Sequence, residues 1–205
     1  MMRVGRRWLM VLSMVGVALA AGCRSPNPRL FTLAPVPGTA QGGGPRVVPL
    51  HPIVVARYLE RPEIVRSSAN YRLDVMAIDS WGEPVAAMIG RVLAEDLSQC
   101  LPGTTIIGSD SAISVKEDAS VRVNIQRMDM DASRTLVLMA QTAVAFIPSP
   151  SGAAMRSIQT AVPLTSAATD EEVRGMSIAI GQLADEIAGM LRQSARPAHP
   201  ARHRS

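Results

Sequence analysis

Cys23 is the first residue of the chain whose surroundings prescribe a reaction. It follows the small residues Ala20-Ala21-Gly22, which close an apolar run beginning at Trp8, and that run follows Arg3, Arg6 and Arg7. A basic start, an apolar segment and a small-residue exit make a secretory signal, so residues 1–22 are expected to be cleaved. A cysteine placed directly after the cleavage point then carries acyl chains on its thiol and its freed amine. One chain holds weakly; two or more hold stably, each contributing about 0.8 kcal/mol per buried methylene. Other chemistry is sparse. His51 lies in a strand-like stretch between prolines, and His199 and His203 sit in the tail, none at the spacing of a metal site or of a base for a nucleophile. Gly42-Gly43-Gly44 lacks the following Lys and helix start of a phosphate loop. Asp129 and Asp131 would share one side of a strand, where two carboxylates can share a proton. An exposed strand end or turn before Ser133-Arg134 is their simpler account. With no base and orienter converging, the chain reads as a non-enzyme, without cofactor or metal beyond the acyl chains on Cys23.

The other readings of the N-terminus are an ordinary cleaved signal, a retained anchor and a twin-arginine export signal. A membrane span needs roughly 20 apolar residues, more than the run from Trp8 to Ala20 supplies. Arg6-Arg7 lacks most of the polar and aromatic context of a twin-arginine signal. Ala20, however, stands where lipoprotein signals more often have Leu, Val or Ile. Arg24 replaces the Asp that usually retains lipoproteins in the inner membrane, which points by analogy to the outer membrane, facing the periplasm. Removing Arg3, Arg6 and Arg7 from the 21 Lys and Arg leaves 18 basic against 17 acidic residues. Four of those 18 are Arg192, Arg196, Arg202 and Arg204, so Cys23 to Leu191 is mildly acidic and gives no electrostatic footprint for nucleic acid. Cys100 has no partner once Cys23 is acylated, and reads as a buried small hydrophobe.

The elements that follow imply one α/β (α+β) domain with a mixed, largely antiparallel sheet packed by two main helices. Residues 23–45 read as a lipidated tether containing a short strand at Leu30 to Leu33, 46–193 as the domain, and 194–205 as a disordered basic tail. Val47 to Val55 and Glu63 to Arg66 look like strands. Tyr71 to Val75 and Val121 to Gln126 alternate apolar and polar, so each buries one face. Thr135 to Ile147 is apolar on both faces and reads as a central strand, with Met155 to Val162 returning beside it as a hairpin. Pro84 opens a helix whose stripe is Val85, Ile89, Val92, Leu93, Leu97 and Cys100, stopped at Leu101-Pro102-Gly103. Thr169 and Glu172 form a capping box before a second stripe, Val173, Met176, Ile180, Leu183, Ile187 and Leu191.

Three segments carry a resemblance: Leu30-Phe31-Thr32-Leu33, then Ile53 to Val65 containing Tyr58-Leu59-Glu60-Arg61-Pro62, then Trp81-Gly82-Glu83-Pro84 opening the helix. In this order and spacing the chain resembles the PqiC (YmbA) family of ABC-transport auxiliary lipoproteins over Leu30 to about Leu191. It departs from that family at Ala140 to Thr142, where a Trp is expected, and at Gly82, where Ala is commoner. The resemblance implies a lipid-anchored component working with an MCE-domain protein and its inner-membrane partners in lipid transport or membrane integrity, with a homo-oligomeric ring as its assembly. Tyr58, Arg61, Pro62, Trp81 and Glu83 are the residues expected either to form a partner interface or to fix the fold, with Arg61 pairing with Glu83 across the strand-to-helix junction. An assembly partner of an outer-membrane barrel or polysaccharide exporter shares the anchor and domain, but gives no reason for these two motifs. A secreted hydrolase needs a convergence that the histidines do not supply.

Overall fold

The computed structural model describes residues 27–36, 38–68, 71–109, 111–113, 115–148 and 153–194. The signal segment, Cys23 and residues 195–205 lie outside them. In chain order the strands are β1 (Arg29–Phe31), β2 (Val47–Pro49), β3 (Val54–Val55), β4 (Glu63–Ser68), β5 (Arg72–Trp81), β6 (Thr105–Ile107), β7 (Ala119–Met130), β8 (Thr135–Phe146) and β9 (Ala153–Pro163); the helices are α1 (Val85–Cys100) and α2 (Thr169–Ser194).

The alternating stretch at Val121 extends into the twelve-residue strand β7, which pairs antiparallel with β8, and β8 pairs in turn with β9. β3 adds in parallel at the other edge to give the order β3-β7-β8-β9. β8 is central, as its apolar character requires. Both of its faces are buried, however, only over Leu136–Leu138; from Met139 to Gln141 it alternates, because the helices cover one face of the sheet and, among the described residues, no second layer covers the other there. A parallel pair, β2-β6, continues toward the same sheet through a bridge from Leu50 to Val121.

Both helix stripes are buried throughout, and their side chains fill one core with β7 and β8. Pro84 stands just before α1, and Leu101, Pro102 and Gly103 end it, Gly103 at φ 95° supplying the left-handed backbone that a side chain disfavours. The capping box is not formed. Thr169 donates to Asp79 Oδ2 at 2.5 Å, and Glu172 receives Arg66 at 2.5 Å, so both side chains serve long-range partners. Glu171 performs the local task instead, accepting from the backbone and hydroxyl of Thr165.

Within the stretch read as tether, residues 32–36 and 38–42 lie as a strap along the groove between the helices. Leu33 is buried, Ala34 N donates to Ser177, Val36 N to Asp96, and Gln41 N to Cys100 O. Arg192 closes the strap by donating to Gly42 O and Gln41. A Cβ on Gly181 would stand 2.9 Å from Val36 O, so glycine is needed where the strap crosses α2. No helix among the described residues is long and apolar enough to cross a membrane.

Candidate functional site

A second, smaller sheet, β1-β5-β4, carries the two motif segments to one place. β1 pairs in parallel with the end of β5, setting Phe31 opposite Trp81, and the β4–β5 pairing sets Glu63 opposite Ser80. Trp81 N donates to Pro62 O at 2.7 Å and Gly82 N to Phe31 O at 2.9 Å. The chain is thereby locked on both sides of the turn that leads into α1. Around this junction lies a cleft of about 580 Å³, lined by Glu60, Arg61, Pro62, Trp81, Glu83, Pro84, Val85 and Ala86. Pro62, Trp81, Pro84, Val85 and Ala86 give it an apolar lining, and three charged side chains form its rim.

The structure thus gathers four of the five motif residues. Trp81 belongs to the core as well, being 8% exposed, so one side chain both holds the fold and floors the cleft. Arg61 and Glu83 do not pair with each other. Arg61 reaches Glu63 at 3.4 Å and Glu83 receives Arg91 at 2.6 Å, because each finds a partner near it in the chain, on the element that directly follows it. Both pairs are exposed and hold weakly, leaving their charges available to a visitor.

Tyr58 points elsewhere. Its hydroxyl donates to Asp129 Oδ2 at 2.5 Å and accepts from Met128 N at 3.3 Å. Burial, followed by the hydrogen bond to Asp129, pushes the phenol well above its ordinary range. Asp129 is itself buried and also receives Arg127 at 3.0 Å, so the expectation of an exposed strand end fails for it. The bulge between Ile125 and Arg127 moves the core-facing positions from Val121, Val123 and Ile125 to Met128 and Met130, and Tyr58 and Arg127 cover Asp129 on the other side. Asp131 does form the turn, accepting from Ser133 and Thr135.

Two polar clusters were not read from the sequence. In the first, Arg29 clamps Asp79 through two bonds of 2.7 and 2.8 Å, Thr169 joins Asp79, and Arg66 bridges Thr169 and the fully buried Glu172. The Arg29 guanidinium holds Asp79 below the ordinary carboxylate range. Burial holds Glu172 above it in spite of Arg66. The second cluster lies under the strap. Burial pushes Asp96 to about 6 and Cys100 to about 12, and the Cys100 thiol donates to Asp185 at 3.2 Å. Asp96 carried a visible signal, a carboxylate on the apolar stripe between Val92 and Cys100. The described residues contain no group of three or more His, Cys, Asp or Glu placed to hold a metal.

The model of the ABC-type transport auxiliary lipoprotein component matches residues 31–188. The chain belongs to this family. No curated protein matches the sequence. A crystal structure of an uncharacterized protein superposes with a TM-score of 0.67 at 14% identity, over 80% of this chain and 99% of that one. Protein XCC0632 from Xanthomonas campestris superposes with a TM-score of 0.60 at 17% identity, over 82% of this chain and 94% of its own. Both show the same fold. The family assignment makes this protein an auxiliary component of an ABC-type transport system.

Proposed function

We propose that this auxiliary lipoprotein is held by acyl chains on Cys23 at the periplasmic face of the outer membrane, where it docks an MCE-domain protein that works with inner-membrane transport partners. The observation carrying this reading is the cleft, where the two motif segments become one surface with a Trp floor and a charged rim. Tryptophan and arginine are the side chains that most often concentrate binding energy at interfaces, and prolines keep such a surface rigid. A stable interface covers about 800 Å² per partner, far more than eight residues around a cleft offer. Cyclic repetition of the cleft in a homo-oligomeric ring supplies the missing area by avidity.

The test is purification of the tagged protein from cells in gentle detergent, with mass spectrometry of what accompanies it and Cys23→Ala in parallel. Recovery of an MCE-domain protein with the wild type, and loss of membrane retention in the variant, supports the proposal. Recovery of a barrel or exporter without any MCE protein overturns it.

A further inference from the structure

β9 ends the sheet β3-β7-β8-β9, and among the described residues β8 is its only paired neighbour. Leu164 N donates to Arg134 O, and β8 and β9 keep one register from the pair Thr135–Pro163 to the pair Ala145–Ala153. Bonded and non-bonded pairs alternate along an antiparallel ladder. Arg156, Ile158, Thr160 and Val162 therefore turn their N–H and C=O groups toward β8, whereas Met155, Ser157, Gln159 and Ala161 turn theirs outward. Pro163, which has no N–H, takes the next outward position, where none is needed. Proteins guard such edges by keeping them short, bulged, charged or covered. β9 is eleven residues long and unbulged, and Arg156 is its only charged residue.

Beside this edge a groove of about 560 Å³ separates Arg156–Thr160 from Gln182, Asp185 and Glu186 of α2. Two carboxylates face it against one guanidinium, and Arg156 holds Glu186 only at 3.8 Å while donating to Gln193 at 2.9 Å. Thr160 Oγ1 is buried at the groove and has no hydrogen-bond partner among the described residues. An added strand places its side chains on the same faces as the β9 residues they oppose. Those opposite Ile158 and Thr160 enter the groove, where its net negative charge selects Lys or Arg. Those opposite Ser157, Gln159 and Ala161 lie on the open sheet face. A second copy suits the edge less, because antiparallel pairing of β9 with itself brings Asp185 and Glu186 of two α2 helices to one seam, like charge against like.

We propose that the free edge of β9 docks an extended segment of another protein as an added strand, with basic side chains opposite Ile158 and Thr160. The outward groups of Met155 to Ala161 match a segment of about seven residues, about 20 Å of strand, and main-chain bonds supply the affinity in such pairings. This edge shares no residue with the cleft at Trp81 and stands independently of what docks there.

The test uses the mature protein in dodecyl maltoside and, as the probe, the peptide Thr-Val-Lys-Val-Lys-Val-Thr blocked at both ends. Hydrogen exchange at single amides should find Met155, Ser157, Gln159 and Ala161 open in the free protein and Arg156, Ile158, Thr160 and Val162 protected; the peptide should protect the first four. In anisotropy of the fluorescein-labelled peptide, Ser157→Pro removes one outward amide and should weaken binding about ten-fold, roughly one hydrogen bond. Glu186→Lys, on the exposed surface of α2, should weaken it several-fold and carries the test should Ser157→Pro fail to fold. Outward amides already protected in the free protein, no added protection at millimolar peptide, or equal binding of the peptide with Glu in place of Lys overturns the proposal. Protection that rises with protein concentration alone also overturns it, by making a second copy the occupant.

Discussion

Replacing Arg66 with methionine removes the guanidinium that joins the hairpin to α2 while keeping most of its apolar stem. Arg66 contacts Glu172 at 2.5 Å and Thr169 at 3.1 Å, and Glu172 then retains only the backbone donor of Met130 at 3.4 Å. The Glu172 side chain is 0% exposed and that of Arg66 is 16% exposed. Removing one partner of a buried pair costs about 3–5 kcal/mol because the other charge is left uncompensated. The partial access of water to Arg66 places the expected loss near the lower end, about 3 kcal/mol. Urea unfolding of the protein beginning at Arg24 reads this as a lower midpoint at unchanged slope. The double variant Arg66→Met/Glu172→Leu should recover most of the loss, since it removes the stranded charge too. The loss also depends on pH. Burial already raises Glu172 above its ordinary value, and deleting Arg66 raises it further. A carboxyl whose folded pKa exceeds its unfolded one destabilises increasingly as pH climbs from the unfolded value through the folded one, so the single variant loses more at pH 8 than at pH 5. A loss below about 1 kcal/mol, the level of a surface pair, refutes this reasoning. So does a double variant as weak as the single.

Asp96→Asn should flatten the pH dependence contributed by the strap. With Asp96 at about 6 when folded, against an ordinary value of 3.8, the native state binds the extra proton; stability from this group is full below pH 4 and falls up to pH 6. The variant should gain on the wild type by up to about 3 kcal/mol at pH 8 relative to pH 4, taking 1.36 kcal/mol per pKa unit; parallel stability curves would contradict this. Tyr58→Phe leaves buried Asp129 without its closest donor and Met128 N without its acceptor, at a cost of about 1–3 kcal/mol in urea unfolding. A smaller effect would show that Arg127 alone satisfies Asp129.

Much of this architecture follows from periodicity. Both helix stripes, the central position of β8 and the β8–β9 hairpin follow from local spacing, because a helix or hairpin buries what its own sequence aligns. What spacing does not carry is which distant group a polar side chain meets. Thr169 and Glu172 have the spacing of a local cap, yet Asp79 and Arg66 capture them from strands some 90 to 106 residues away. Arg61 and Glu83 sit on facing segments, yet each pairs with a residue near it in the chain. The burial of Asp129 depends on Tyr58, 71 residues away, whose arrival over that carboxylate no local spacing carries. For the cleft, sequence named four of the lining residues, Arg61, Pro62, Trp81 and Glu83; Glu60 comes with its neighbours Arg61 and Pro62, and Pro84, Val85 and Ala86 join because β5 turns directly into α1.

Site-specific photocrosslinking in intact cells, from a probe placed at Arg61 or Glu83 on the cleft rim and from one at Gln159 on the open sheet face, tests the central claim most directly. The account predicts an adduct with an MCE-domain protein from the rim positions and not from Gln159. Rim probes that yield a barrel or exporter subunit, or MCE adducts from Gln159 alone, would contradict it.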